Sequence, residues 1–260
     1  MIQRKTKEEI ELMRRGGKIL AKTLWAVMNT IAPGVSELDL DTLAEKLILE
    51  SGAEPGFKRV AGYKHTICVS TNDVIVHAIP TTYRFKEGDV VGVDCGVYYK
   101  GFHTDMAETR RVSTNNKQQT TNNRKDETDT FLETGKRALE EGIKVAKAGN
   151  RVGHISKTIQ DIVEKEGGYS VVRTLVGHGV GKNLHEEPEV PGFLRGRIDS
   201  TPMLVAGMTI AIEVIYNMGE KEVMFRNNDG WTIGTKDKSL SGLFERTVAI
   251  TDKDPIVLTT

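Results

Sequence analysis

Two stretches of this chain follow one plan, and that repetition constrains the fold more than any other feature. Gly88-Asp89-Val90-Val91-Gly92-Val93-Asp94 and Gly207-Met208-Thr209-Ile210-Ala211-Ile212-Glu213 each start at a turn glycine, run as a strand, and reach a carboxylate six residues later. Side chains alternate across a strand with period two. Val91, Val93, Cys95 and Val97 therefore share one face, while Gly92, Asp94 and Gly96 share the other. In the second copy Ile210, Ile212 and Val214 oppose Thr209, Ala211 and Glu213. Each strand has an oily side for a core and a side of small residues carrying one acid.

The surroundings of these strands are also repeated. Thr6-Lys7-Glu8-Glu9 is a capping box, followed by apolar residues at Ile10, Met13, Leu20, Leu24, Val27 and Ile31 with amphipathic helical spacing. Pro33-Gly34 ends that helix. Ser36 and Asp39 open a second one with Leu40, Leu43, Leu47 and Ile48 inward, stopped near Gly52. Short β-rich runs follow from 66 to 112, including Thr66 to Ser70 and Val90 to Tyr99. Two more helices fit 130–148 and 153–166, and residues 171–260 return to strands and turns. Two helices then strands, twice over, predict an α+β domain of two similar halves, with residues 1–260 forming a single domain. Residues 113–129 contain no apolar side chain and read as a polar, mobile insertion that burial cannot order.

Composition narrows the partners. The 260 residues carry 36 Lys plus Arg and 36 Asp plus Glu, so the formal charge is zero. Nucleic acids and anionic membranes usually select a basic excess, so neither is expected as partner. No apolar run is long enough for a transmembrane span, and Met1-Ile2-Gln3-Arg4-Lys5 is not a signal peptide. The two cysteines, Cys68 and Cys95, lie in separate apolar runs, which suits a reduced, cytoplasmic protein.

A lone Asp on a strand is usually a turn or surface residue. Here apolar sequence flanks each acid, and a buried unpaired carboxylate is unfavourable enough to protonate. Arg110 and Arg111 could neutralise Asp94 or Asp105 without a metal. Several acids from duplicated strands instead suggest convergence on cations. Asp105 follows Asp94 by eleven residues across the turn-like Tyr98-Tyr99-Lys100-Gly101-Phe102, so a hairpin would bring both acids to one face. Glu245, in Leu243-Phe244-Glu245-Arg246-Thr247-Val248, could meet Glu213 in the same manner. Among six histidines, His178 stands between glycines in Gly177-His178-Gly179-Val180-Gly181, His185 precedes Glu186-Glu187-Pro188, and His77 ends a strand-like run before Ala78-Ile79-Pro80. His65, His103 and His154 have no comparable context. Four carboxylates and one imidazole form a hard donor set that favours Mn, Fe or Co over a thiolate-bound structural zinc, and catalytic zinc is also compatible.

Together these residues resemble the type I methionine aminopeptidases of the pita-bread metallopeptidase family. The motifs Cys68-Val69-Ser70-Thr71-Asn72, His77-Ala78-Ile79-Pro80, Gly101-Phe102-His103-Thr104-Asp105 and Asp229-Gly230-Trp231-Thr232 support the likeness, which spans almost the whole chain. The resemblance implies a pita-bread fold, with two pseudo-symmetric halves, an antiparallel sheet and helices outside. It implies two divalent ions (Co, Mn, Fe or Zn) held by Asp94, Asp105, His178, Glu213 and Glu245, with Asp105 and Glu245 bridging. His77 and His185 would contact substrate and stabilise the tetrahedral intermediate, Glu213 would shuttle the proton, and Tyr63, Cys68 and Trp231 would line a methionine pocket. The implied reaction removes initiator methionine from nascent polypeptides by metal-activated water attack on the first peptide bond, in a cytoplasmic monomer.

The chain departs from the pattern at Val214, where proline is usual, at Arg246, where histidine is common, and at Leu184, where an aromatic is often found. Its polar stretch is longer than the turn there in bacterial type I relatives. Two other readings share the fold: an X-Pro aminopeptidase or prolidase, and a pita-bread peptide-binding protein without catalysis. Prolidases usually carry an additional N-terminal domain, and binding relatives lose some ligands, whereas all five are present here.

Overall fold

Both helix starts in the first forty residues form as capping boxes. Thr6 Oγ1 accepts from the Glu9 amide at 3.2 Å and the Glu9 carboxylate accepts from the Thr6 amide at 2.9 Å, opening α1 (Lys7–Thr30). Ser36 and Asp39 do the same for α2 (Glu37–Glu50). These reciprocal bonds satisfy amide donors that the first helical turn leaves free. The computed structural model describes residues 2–113 and 126–260.

The first half continues through β1 (Glu54–Pro55), β2 (Ile67–Thr71), β3 (Val74–Val76), β4 (Val90–Tyr99) and β5 (Phe102–Arg111). The second opens with α3 (Glu127–Lys144) and α4 (Val152–Gln160), the latter continuing as a π-helical stretch over Asp161–Glu166. Then come β6 (Ser170–Val171), β7 (Gly177–Gly179), β8 (Glu186–Val190), β9 (Thr209–Asn217), β10 (Val223–Phe225), β11 (Ile233–Thr235), β12 (Ser241–Ala249) and β13 (Ile256–Val257).

The expected polar insertion at 113–129 is too long at its C-terminal end. Asp126 accepts from the Asp129 amide at 2.9 Å as the N-cap of α3, and Glu127 and Asp129 occupy its first turn. A first turn needs no burial, and its acids interact favourably with the helix dipole, so polarity there marks a helix start. Residues 114–125 of the expected insertion lie outside the described residues. The helix expected over 130–148 stops at Lys144, and the one expected over 153–166 is regular only to Gln160.

One antiparallel sheet runs through both halves in the order β1-β4-β5-β12-β9-β7-β8, with β2 against β4, β6 against β9 and β13 against β12. Helices α1 and α2 cover Val91, Val93, Cys95, Val97 and Met106. Helices α3 and α4 cover Ile210, Ile212, Val214, Phe244 and Val248. Each apolar strand face read from the sequence is thus buried under its own helix pair. At the seam, β5 and β12 pair directly only at Glu245–Ala107 and Arg246–Met106. Two hydroxyls carry the ladder beyond that. Thr247 Oγ1 accepts from the Asp105 amide and donates to its carbonyl, both at 2.8 Å. Thr109 Oγ1 accepts from the Leu243 amide at 3.0 Å and donates to its carbonyl at 2.7 Å.

Gly135 sets how closely α3 approaches this sheet. A Cβ there would lie 2.5 Å from Tyr216 Oη and 2.6 Å from the Phe244 ring. Gly135→Ala should therefore lower unfolding free energy by about 1–3 kcal/mol through overpacking. Urea titration should show a lower midpoint with unchanged slope; a wild-type midpoint would show that this interface yields freely.

Candidate metal centre and substrate pocket

The sheet register places the carboxylates in one row. Asp94 on β4 is opposite Ala107 on β5, Ala107 is opposite Glu245 on β12, and Glu245 is opposite Glu213 on β9. Cross-strand partners point to the same face, so three acids and one small alanine line up across four strands. Asp105 stands two residues from Ala107 on that face. His178 on β7 is opposite Ala211, two residues from Glu213. All five expected ligands converge on the sheet face away from the helices. Direct pairing of Glu213 with Glu245 is as expected; Asp94 and Asp105 meet diagonally, because the hairpin register sets Asp105 opposite Gly96.

Donor atoms of Asp105, His178 and Glu245 all lie within 4.8 Å of one another. The carboxyls of Asp94 and Asp105 are within hydrogen-bonding reach, and Glu213 Oε1 is 3.5 Å from His178 Nε2. His178 Nδ1 lies 2.8 Å from the Gly179 carbonyl, which can only accept, so Nδ1 carries the proton and Nε2 keeps its lone pair toward the cluster. The flanking glycines make room for this strand. A Cβ at Gly177 would sit 2.4 Å from the Ala211 carbonyl oxygen, and one at Gly179 would sit 2.2 Å from that of Glu187.

Burial dominates the electrostatics. It pushes the Asp94 carboxyl up to about 7, and it raises Glu213 well above the usual carboxylate range, reinforced by Asp94. Asp105 is raised by burial, then by Asp94 and Glu213; Glu245 is raised by burial, then by Asp105 and Glu213. Protein cations do not relieve this. Arg110 donates to the Met28 carbonyl and Arg111 binds Asp126, so neither acts as the counter-charge that was open to them. Arg246 favours charge on Glu245, but its guanidinium is committed to Glu108 at 2.7 Å and to the Ala107 and Glu245 carbonyls. Asp94 Oδ1 and Glu245 Oε1 are buried without a hydrogen-bond partner. Orphaned buried carboxylate oxygens fit a hard divalent cation.

A cavity of about 330 Å³ opens onto this cluster. Tyr63, Cys68 and Trp231, the three expected pocket residues, all line it, as do His77 and His185. Tyr63 and Trp231 meet edge to face with centroids 5.1 Å apart, and the Tyr63 hydroxyl donates to the Ile67 carbonyl at 2.9 Å. Burial raises the Cys68 thiol, keeping it protonated and apolar in character. His77 adopts φ 58°, a left-handed conformation unusual for histidine. Such strain is retained where surrounding structure over-determines it, often at functional sites. The His185 ring meets His178 edge to face at 4.3 Å. Burial lowers His77 and His185 and brings His178 to about 4, so all three imidazoles are neutral near pH 7.

Sequence reasoning missed Phe57, Val60, Val76, Leu175, Val176 and Ile215, which also line the cavity. Ile215 was accessible to it, since period two places it on the face of Glu213. The others lie in loops, short strands or, for Phe57, a single 3-10 turn, none with a periodic signal. The histidines given no site role are structural in part: His154 Nδ1 accepts from the Arg151 amide at the start of α4, and His65 lies 3.1 Å from Asp41.

The comparisons agree with this geometry. The model of metallopeptidase family M24 matches residues 11–252, and the chain belongs to that family. Among similar proteins, the methionine aminopeptidase of Clostridium perfringens is 42% identical over 100% of this chain and 99% of its own length. Methionine aminopeptidase 1 of Bacillus subtilis is 39% identical over 100% and 99%. The crystal structure of the Thermotoga maritima methionine aminopeptidase superimposes with TM-score 0.92 at 38% identity, covering 100% of both chains. The prolidase of Pyrococcus furiosus shares the fold, with TM-score 0.76 at 23% identity over 99% of this chain and 65% of its own. The architecture is therefore the pita-bread fold.

The raised carboxyls give the metal-free protein a defined pH response. Asp94 has a folded value near 7 against about 4 unfolded. Its stabilising contribution is complete below about pH 4 and lost as pH rises through 7. Chelator-treated protein should lose melting temperature between pH 5 and 8, and Asp94→Asn should flatten that slope. Equal slopes for both proteins would overturn this assignment of charge strain to Asp94.

Proposed function

We propose that this chain is a methionyl aminopeptidase that removes the first residue of newly made polypeptides. The observation that carries the reading is the convergence of four carboxylates, two of them fully buried, and one imidazole beside an apolar, aromatic-walled cavity. Asp94, Asp105, His178, Glu213 and Glu245 would hold two divalent ions of the Mn, Fe, Co or Zn type. Bound there, such ions supply Lewis-acid polarisation of a peptide carbonyl and a water of lowered pKa.

The remaining work belongs to the chain's own side chains. Glu213, at the edge of the cluster, takes a proton from the attacking water and delivers it to the leaving amine. His77 and His185, both neutral and both on the cavity wall, offer N–H donors to the substrate carbonyl as charge builds on its oxygen. Tyr63, Cys68 and Trp231 close around an unbranched thioether and exclude water from it. Nascent chains as substrate place the activity in the compartment of synthesis, and the unpaired, buried Cys68 and Cys95 fit a reducing cytoplasm. No described helix is long and apolar enough to cross a membrane.

With Co, Mn or Fe supplied, free methionine should be released from Met-Ala-Ser, and Ala-Pro should remain intact. Preferential cleavage of Ala-Pro would shift the reading to a prolidase. Glu213→Gln should lower kcat by about a hundredfold or more, with metal content verified and the circular dichroism spectrum unchanged. Wild-type turnover by that metal-loaded variant would refute the proton-shuttle role.

A further inference from the structure

The glycine-walled motif around His178 has three glycines, and the packing of β7 between its neighbouring strands accounts for two. Gly177 and Gly179 are required by close backbone approaches on either side of β7. Gly181 serves something else. A Cβ there would meet Lys5 Cε at 2.4 Å, Lys5 Nζ at 2.6 Å and Glu186 Oε1 at 2.8 Å. Gly181 is the gap through which Lys5 reaches Glu186.

That contact is an interior one. Lys5 Nζ donates to Glu186 Oε2 at 2.5 Å, with side chains only 4% and 5% exposed. The other Glu186 oxygen accepts from the Asn183 amide at 3.1 Å, so this carboxylate ties both ends of the turn that carries Leu184 and His185. The Lys5 amide donates to the Gly207 carbonyl at 2.7 Å, and the Gly207 amide donates to that of Ile250. One residue before α1 thereby joins the turn bearing His185 to the glycine that leads the Glu213 strand. Exposed ion pairs hold nothing firmly. A buried pair has one low-energy geometry, and removing one partner leaves an uncompensated charge.

We propose that Lys5 is a positioning residue, which through Glu186 and the gap at Gly181 holds His185 over the metal cluster. This rests on the role given to His185 above. The His185 ring has no hydrogen bond to hold it among the described residues, and its contact with His178 is between ring edges and faces. Its placement therefore depends on the backbone of its turn. Small displacements of a positioned group lower rates steeply.

A double-mutant cycle on the metal-loaded, full-length enzyme tests this, using release of methionine from Met-Ala-Ser. Lys5→Met should lower kcat on the order of tenfold or more, with KM little changed and metal content equal to wild type. Gly181→Ala should reproduce the defect. In a His185→Ala background, Lys5→Met should produce no additional fall, because the group it positions is gone. The pair Lys5→Met with Glu186→Gln removes both charges and should regain much of the melting temperature lost in Lys5→Met, while kcat stays low. The proposal is overturned if Lys5→Met retains wild-type kcat, if its loss multiplies with that of His185→Ala, or if kcat returns with melting temperature in the paired variant. A wild-type rate in His185→Ala would remove the proposed role of His185 and this proposal together. Absence of methionine release by the metal-loaded wild type would instead overturn the aminopeptidase reading itself.

Discussion

Four carboxylates gathered where water is largely excluded are the constraint on which this structure depends. Left to themselves, Asp94, Asp105, Glu213 and Glu245 disfavour one another's charge, and burial disfavours it further. Only a rigid scaffold holds such a group together. Three of the acids stand in one register row of a continuous sheet, each strand backed by a helix pair, and the small Ala107 fills the remaining place in that row. The arginines that might have quenched the row are engaged with carbonyls or with other acids. What remains is a strong, local demand for divalent cations. That demand links the fold to its chemistry, since the strain that destabilises the metal-free site is the same strain that cations relieve.

The two halves are alike in frame and different in use. Strand β2 lies against β4 as β7 lies against β9. In the first half the added strand brings Cys68 opposite Asp94, a buried protonated thiol that forms pocket wall. In the second, it brings His178 opposite Ala211, an imidazole with a lone pair turned to the acids. One half thus contributes apolar lining and the other an additional donor. The seam keeps the same symmetry: Thr109 and Thr247 each bridge to the facing strand with one hydroxyl, on either side of the Ala107–Glu245 pair. These bridges hold two strands together where regular ladder bonds are missing.

Much of the site is legible in the sequence. A glycine-led strand with small residues on one face and valines or isoleucines on the other announces its acid, because the period of two is a local property of the backbone. Both capping boxes were readable for the same reason. The boundary near residue 126 was not, since a polar helical first turn and a polar loop have the same composition, and only the capping bond of Asp126 separates them. Arg110 and Arg111 likewise could be seen as nearby charges but not as already engaged.

The sequence by itself determined the two faces of the long strands, the first two helix starts and the acids that those strands present together, because alternation and capping act over a few residues. Tertiary structure alone decided that Asp94 and Asp105 meet diagonally, that Ala107 separates Asp94 from Glu245, and that Lys5 reaches Glu186 from the far end of the chain. Those facts depend on register and on contacts between residues as much as 181 positions apart. No local period encodes a distance of that kind; it is settled only when the strands pair and the core closes.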